Sequence, residues 1–480
     1  MYALILGAPF GRPSRAMRPL IEERMARDVT DATPISGRDE LVAWIAAGEK
    51  PASAWRVGTE HEKVPFYTDG HAPVPYEGER GIRALLEGLA SLNGWEPILD
   101  DGKPIGLADE SGGGAISLEP GGQFELSGAP VADIHATASE LARHLAEVKQ
   151  IAEPLGIRFL TLGMSPKWTR AETPVMPKRR YRIMSGYMPK VGTLGLDMMF
   201  RTCTVQVNLD FADEADMVRK LRVSLALQPL AAALFAASPF SEGRLNGFQS
   251  MRSEIWRDTD RDRTGMLPFA FEEGMGYERY VDYALDVPMY FVKRGDTYHD
   301  TSGASFRDLL VGRLPQLPGE RATSSDWANH LSTIFPEVRL KTFLEMRGAD
   351  NGPPEMIAAL SAFWVGLLYD ADALGAAYEL VRPWSSDERE ALRAAVPRLG
   401  LAAEIAGRPL RQVASEVLRI SRSGLARRAA RDGQGRDETR FLDPLDVIAE
   451  SGRTRAELLL ERFHGPWSGS VEPAFEQFVF

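Results

Sequence analysis

Ile116-Ser117-Leu118-Glu119-Pro120-Gly121-Gly122-Gln123-Phe124-Glu125-Leu126-Ser127 reads as two strand arms joined by a turn. Pro120, Gly121 and Gly122 supply the turn chemistry, and the flanking apolar residues recur with period two. Leu118, Phe124 and Leu126 can then face a core while Glu119, Gln123 and Glu125 face the other way. Glutamate is depleted from strands because a half-buried sheet face disfavours charge. A hairpin with glutamates along one face therefore points to a sheet with a polar, chemically active side.

The pattern recurs along the chain. Gly58-Thr59-Glu60-His61-Glu62-Lys63-Val64 puts Glu60 and Glu62 on one strand face, with His61 turned away as a structural residue. Phe343-Leu344-Glu345-Met346-Arg347 puts Glu345 and Arg347 together. Thr202, Thr204, Gln206, Asn208 and Asp210 share one face of a fourth strand. Oxygen-rich faces of this kind suit hard divalent cations, Mg²⁺ or Mn²⁺. Mg²⁺ on a few carboxylates usually completes its shell with water and phosphate oxygens, which implies a nucleoside triphosphate substrate. The competing reading is an exposed sheet face with scattered acids. The sequence does not by itself set the strands side by side.

Outward from these segments, apolar periodicity predicts helices over 41–47, 81–92 and 135–153, and strands over 56–64, 115–127, 157–163, 203–211 and 340–346. Beyond Pro353 the pattern is almost wholly helical, over 355–370, 387–396, 410–430 and 454–463. The reading is an α+β chain with a mostly antiparallel sheet. Residues 1–30 form an N-terminal extension open to disorder, 31–352 the catalytic body, and 353–480 a helical portion packed on it. The uncharged run 223–241 contains Gln228, Pro229 and Pro239 and reads as a buried helix, not a membrane span.

Acidic residues outnumber basic ones, 67 to 56, for a net charge of −11, which argues against a nucleic-acid binder. One cysteine, Cys203, excludes an intramolecular disulfide and any multi-cysteine metal site, and fits a reducing compartment. The apolar patch 2–6 precedes Arg12, Arg15 and Arg18, the reverse of a secretory signal; an Arg-rich transit peptide and an extended start ahead of Met25 are the alternatives. A cytoplasmic location is expected.

Lys178-Arg179-Arg180-Tyr181-Arg182 is a basic run in an acidic protein. It is either a solvated face or, beside a metal–phosphate basin, a phosphate clamp, with Lys178 and Arg180 as the candidates. Arg252, close to Trp256, is a candidate carboxylate clamp through its guanidinium fork. No G-x-x-x-x-G-K-[ST] loop, dinucleotide fingerprint, G-x-S-x-G elbow, H-E-x-x-H or C-x-x-C occurs. Cys203, between threonines, reads as a small packed residue.

The blocks GTEHEK (58–63), SLEPGGQFELSGAP (117–130), MMFRTCTVQVNLDF (198–211), RSEIWRDTDRDRTGMLPF (252–269), FLEMRGAD (343–350) and ERFHGPW (461–467) together resemble the plant and proteobacterial type of glutamate–cysteine ligase. The resemblance runs from about Asp31 to Trp467. It implies a funnel-like sheet ringed by helices, shared with glutamine synthetase and guanidino kinases. It also implies synthesis of γ-glutamylcysteine from glutamate, cysteine and ATP through a γ-glutamyl phosphate. By resemblance, Glu60, Glu62, Glu119, Glu125 and Glu345 form the Mg²⁺ and phosphate basin, with Gln123 on the nucleotide side. Arg252, Trp256, Arg201 and Asn208 lie toward the amino acids, and Arg347, with Glu345, serves the moving phosphoryl group. On a regular strand Arg201 faces away from Gln206 and Asn208, so its place in the site needs a bulge or a strand end. The plant enzymes use paired cysteines for redox control; with Cys203 alone, such an intramolecular switch is impossible. The expected state is a monomer or homodimer free of nucleic acid and membrane. The alternatives are a γ-glutamyl ligase with another amine acceptor, a guanidino-kinase-like phosphotransferase, and a non-catalytic binder.

Overall fold

The computed structural model describes residues 31–480, so the expected extension over 1–30 lies outside the described residues. The central element is an eight-stranded sheet built from β1 (Val57–His61), β2 (Glu96–Asp100), β3 (Lys103–Ala108), β4 (Ala115–Leu118), β5 (Phe124–Ser127), β6 (Thr204–Leu209), β7 (Val338–Leu340) and β8 (Leu344–Asp350). Their order is β7-β8-β6-β1-β5-β4-β3-β2, and every pairing is antiparallel. The chain is therefore α+β with a large antiparallel sheet.

Register follows from the alternation seen in the sequence. Glu60 sits opposite Gln206 and Ser127, Ser117 opposite Glu125, and Glu345 opposite both Asn208 and Arg339. A one-residue slip would drive all these polar groups into the apolar side. That side is covered by helices Ile134–Ala152, Glu214–Leu234 and Pro354–Leu368. Thr59 and His61 point toward it: Thr59 Oγ1 lies 2.8 Å from Ser361 Oγ, and the His61 ring stands edge-on to His144 at 5.5 Å. His61 is thus structural in placement, as expected.

The hairpin of β4 and β5 closes as its turn residues require. Gly122 has φ +87°, a conformation that L side chains rarely adopt, and its N–H donates to Glu119 O at 2.9 Å. The strand expected over 56–64 breaks after His61, because the Glu62 N–H donates to Thr204 O at 3.0 Å and its carboxylate accepts from Thr204 N at 2.9 Å. The chain then leaves the sheet, and Val64–Tyr67 pairs with Ile157–Leu160.

The helix expected over 223–241 is Glu214–Leu234, started by Asp213, whose carboxylate accepts from Asp216 N. Its charged first turns hid the true beginning. The four helices expected beyond Pro353 form as Pro354–Leu368, Ser386–Leu399, Leu410–Arg428 and Arg455–His464, with Ala371–Val381 and Asp443–Ser451 added. All but Arg455–His464 share one continuous apolar core with the sheet: Leu360, Phe363, Val417 and Leu445 belong to the same cluster as Val57, Val207 and Met346, whereas Leu459 packs with Val64, Phe66 and Phe475. Among the described residues no single helix is long and apolar enough to cross a membrane.

Candidate active site

The polar sheet face opens into a cavity of about 170 Å³. Glu60, Glu62, Glu119 and Glu125 line it from the strands and their turns. Glu60 is 6% exposed and shares a hydrogen bond with Glu125. Burial, reinforced by the charges of Glu345 and Glu125, pushes the Glu60 carboxyl up to about 8. Burial likewise raises Glu62, with Glu125 and Glu119 adding to it, and raises Glu125, with Glu119 adding to it. Like charges crowded in a poorly solvated space raise one another in this way. Protons, or a cation in their place, relieve the repulsion.

Three of the acids are met by a neutral side chain, and Glu62 by the Thr204 N–H. Asn208 Nδ2 donates to Glu60 Oε1 at 2.7 Å, and Gly58 opposite Asn208 leaves room for that reach. Ser117 Oγ donates to Glu125 Oε2 at 2.6 Å. Tyr181 OH donates to Leu118 O at 2.7 Å and stands 3.4 Å from Glu119 Oε1. Asn208, expected on the amino acids, therefore positions Glu60 instead. Gln123, expected on the nucleotide, lines the cavity, but its amide is committed to backbone. Its Nε2 donates to Thr202 O at 2.8 Å, and its Oε1 accepts from Gly121 N at 2.9 Å.

Glu345 departs furthest from expectation. It has no solvent exposure and does not line the cavity. Arg339 binds it through Nε at 2.7 Å and Nη2 at 2.6 Å, and Arg347 Nη1 binds Oε1. Burial alone would raise its pKa, but Arg339, Arg347 and Lys341 outweigh burial and hold it at about 2. With both oxygens on guanidinium groups, Glu345 anchors arginines and is not an open metal ligand. Among the described residues no three His, Cys, Asp or Glu side chains converge on one point suited to an ion. The five expected ligands thus form no closed cage. The other four suit a hard cation that takes one or two carboxylates and completes its shell with phosphate oxygens.

The opposite wall is basic and aromatic. A bulge between Met346 and Ala349 frees the Arg347 carbonyl from the ladder, and Arg252 Nη2 donates to it at 2.7 Å. The Arg252 and Arg347 guanidinium carbons each lie 5.9 Å from the Trp256 ring, and Phe335 stands edge-on to Trp256 at 5.8 Å. Arg252 Nε and Trp256 Nε1 are buried donors with no partner among the described residues. The basic run splits by helix geometry. Lys178 and Arg180 line the cavity, Arg179 pairs with Asp100, and Arg182 faces solvent.

Arg201 is not brought to this cavity. It ends the short helix Gly195–Arg201, pairs with Asp197 at 3.0 Å and Glu242 at 3.2 Å, and lines a separate cleft. The strand begins at Thr204, so neither a strand end nor a bulge turns Arg201 inward. The sequence reading missed Arg339 and Lys341, which line the cavity from the segment around β7. The signal was available: Arg339 and Lys341 interleave with Val338 and Leu340, the period-two pattern that singled out the glutamates.

Residues 56–477 match the family described as Glutamate-cysteine ligase family 2 (GCS2). The chain is 54% identical over 449 residues to the chloroplastic glutamate–cysteine ligase of Arabidopsis thaliana, covering 94% of this chain and 84% of that protein. It is 53% identical over 443 residues to the chloroplastic glutamate–cysteine ligase B of Oryza sativa subsp. japonica, covering 92% and 87%. A solved glutamate–cysteine ligase from Francisella tularensis, in complex with AMP, aligns at TM-score 0.49 and 12% identity over 88% of this chain and 89% of its own. That likeness adds nothing to the fold seen directly. The expected cytoplasmic location is corrected by these relatives, which are chloroplastic enzymes.

Proposed function

The chain belongs to glutamate–cysteine ligase family 2, and we propose that the carboxylate-lined cavity is where its chemistry takes place. The activity is the joining of glutamate to cysteine, the first step of glutathione biosynthesis. In this reading the γ-phosphoryl group of ATP passes to the glutamate γ-carboxylate, releasing ADP. The cysteine amine then attacks the acyl phosphate, an amide forms, and phosphate leaves. A divalent cation, Mg²⁺ or Mn²⁺, held by Glu60, Glu62, Glu119 and Glu125, would screen the phosphate oxygens.

The protein's own residues position the reactants and balance charge. Lys178 and Arg180 meet the nucleotide phosphates. Arg347, held by Glu345, sits where negative charge moves between donor and acceptor. Arg252 Nε and Trp256 Nε1 receive the α-carboxylate of glutamate, and the aromatic wall with Phe335 excludes water from the acyl phosphate. Residues 31–352 act as the catalytic body, a funnel around the polar sheet face, braced by the helices of 353–480.

One observation carries this reading: four carboxylates, three of them raised by burial and by one another, and two unpartnered donors line one cavity. It is tested by ADP release with glutamate alone and with a panel of amines. Cysteine-dependent release with γ-glutamylcysteine as product is expected. Turnover on a guanidino acceptor without amide formation would make the protein a phosphotransferase, and silence throughout would make it a binder.

A further inference from the structure

We propose that Gln206 reads the α-ammonium group of the glutamate substrate and so sets the preference for an amino acid over a plain dicarboxylate. The inference rests on the reading above and deepens it. Gln206 lies on β6 opposite Glu60 and is 4% exposed. Its Nε2 donates to Glu60 Oε2 at 3.3 Å. Its Oε1 therefore faces elsewhere, and among the described residues it has no partner. Buried acceptors in folded proteins are nearly always paired, so one left open beside a cavity is a place for a ligand's donor.

Thr204 lies one repeat along the same strand face. Its Oγ1 is 3.3 Å from the Arg347 carbonyl, the same carbonyl that accepts from Arg252 Nη2. Gln206, Thr204, Arg252 and Trp256 all line the one cavity. Arg252 Nε and Trp256 Nε1 are open donors, and Gln206 Oε1 is an open acceptor. An α-amino acid carries a carboxylate and an ammonium on one carbon, which is the complement of that set. A dicarboxylate without the amine satisfies only the donors. The amide keeps the site free of a further negative charge beside Glu60, where a carboxylate would add to the repulsion.

The test uses the full chain, measuring the KM for glutamate, the Ki of glutarate as competitor, and the KM for Mg·ATP by ADP release. The wild-type protein should bind glutamate at least about tenfold more tightly than glutarate. Gln206→Met should raise the glutamate KM about 10- to 100-fold and move the glutarate Ki less than about threefold, with Mg·ATP unchanged. Equal binding of the two compounds by wild type overturns the proposal. So does a variant in which both constants rise together, or in which only the Mg·ATP constant moves, an outcome that makes the amide a metal ligand. Should Gln206→Met not fold, Gln206→Asn withdraws the same oxygen by one methylene and is judged by the same ratios. Absence of any glutamate-dependent ADP release from wild type would strike the broader functional reading instead.

Discussion

Glu345 shows how much a single side chain settles here. It is fully buried, yet it stays ionised because Arg339 and Arg347 hold it. Its pKa lies near 2, below the ordinary 4.5, so between those values the unfolded chain binds a proton that the folded chain does not. Stability from this group is complete above about pH 4.5 and drains away as pH falls toward 2. Urea midpoints across that window should fall in wild type and flatten in Glu345→Gln. At neutral pH, where two arginines lose their counter-charge, the variant should be less stable by about 3–5 kcal/mol. Arg347→Lys keeps the charge but loses the planar fork, and it should lower kcat about 100-fold with the glutamate KM within a few-fold. Trp256→Phe removes one donor and should do the reverse, raising the glutamate KM about tenfold with kcat nearly kept, as initial rates would show. Glu60, Glu62, Glu119 and Glu125 were legible in the sequence because strand alternation put them on one face. Arg201 was misplaced because the residues before Thr204 form a helix, which period-two reasoning cannot see.

Among the elements, the hairpin turn between β4 and β5 carries the most consequence for the site. Glu119 and Gln123 flank it, and it closes through Glu119 N to Gln123 O at 2.9 Å. A Cβ on Gly121 would collide with the Phe200 carbonyl, which ties the turn to the helix ending at Arg201. At Gly122 a Cβ would lie 3.2 Å from Met176 Cε and would strain a backbone at φ +87°. Gly122→Ala should cost about 1–2 kcal/mol in a thermal melt and lower turnover by displacing Glu119. The turn was readable from Pro-Gly-Gly alone. The bulge after Met346 was not, because it depends on how β8 meets β6, and with it went the role of the Arg347 carbonyl as an anchor for Arg252.

At the scale of the whole molecule, the last residues return to the strand that leads out of the site. Phe475 packs edge-on against Phe66 at 5.0 Å and stacks on His71 at 4.7 Å. The Phe480 N–H donates to Phe159 O at 3.0 Å. The pair Val64–Tyr67 and Ile157–Leu160 that they cover begins two residues after Glu62. Phe475→Ala should therefore destabilise the protein by about 3–5 kcal/mol, read as a lower denaturant midpoint, although it lies far along the chain from any carboxylate. The relatives' chloroplastic location was likewise beyond a reading of composition and cysteine count. By itself the sequence determined the α+β class, the hairpin, the helical C-terminal third and the four glutamates of the cavity, since periodicity and turn chemistry are local properties. Only the tertiary structure decided that Glu345 belongs to the arginines, that Asn208 serves Glu60, that Arg339 and Lys341 enter the site and that Arg201 leaves it. Those outcomes depend on which strands become neighbours and in what register, and on where a helix gives way to a strand. Pairing of residues hundreds of positions apart is written in no single segment.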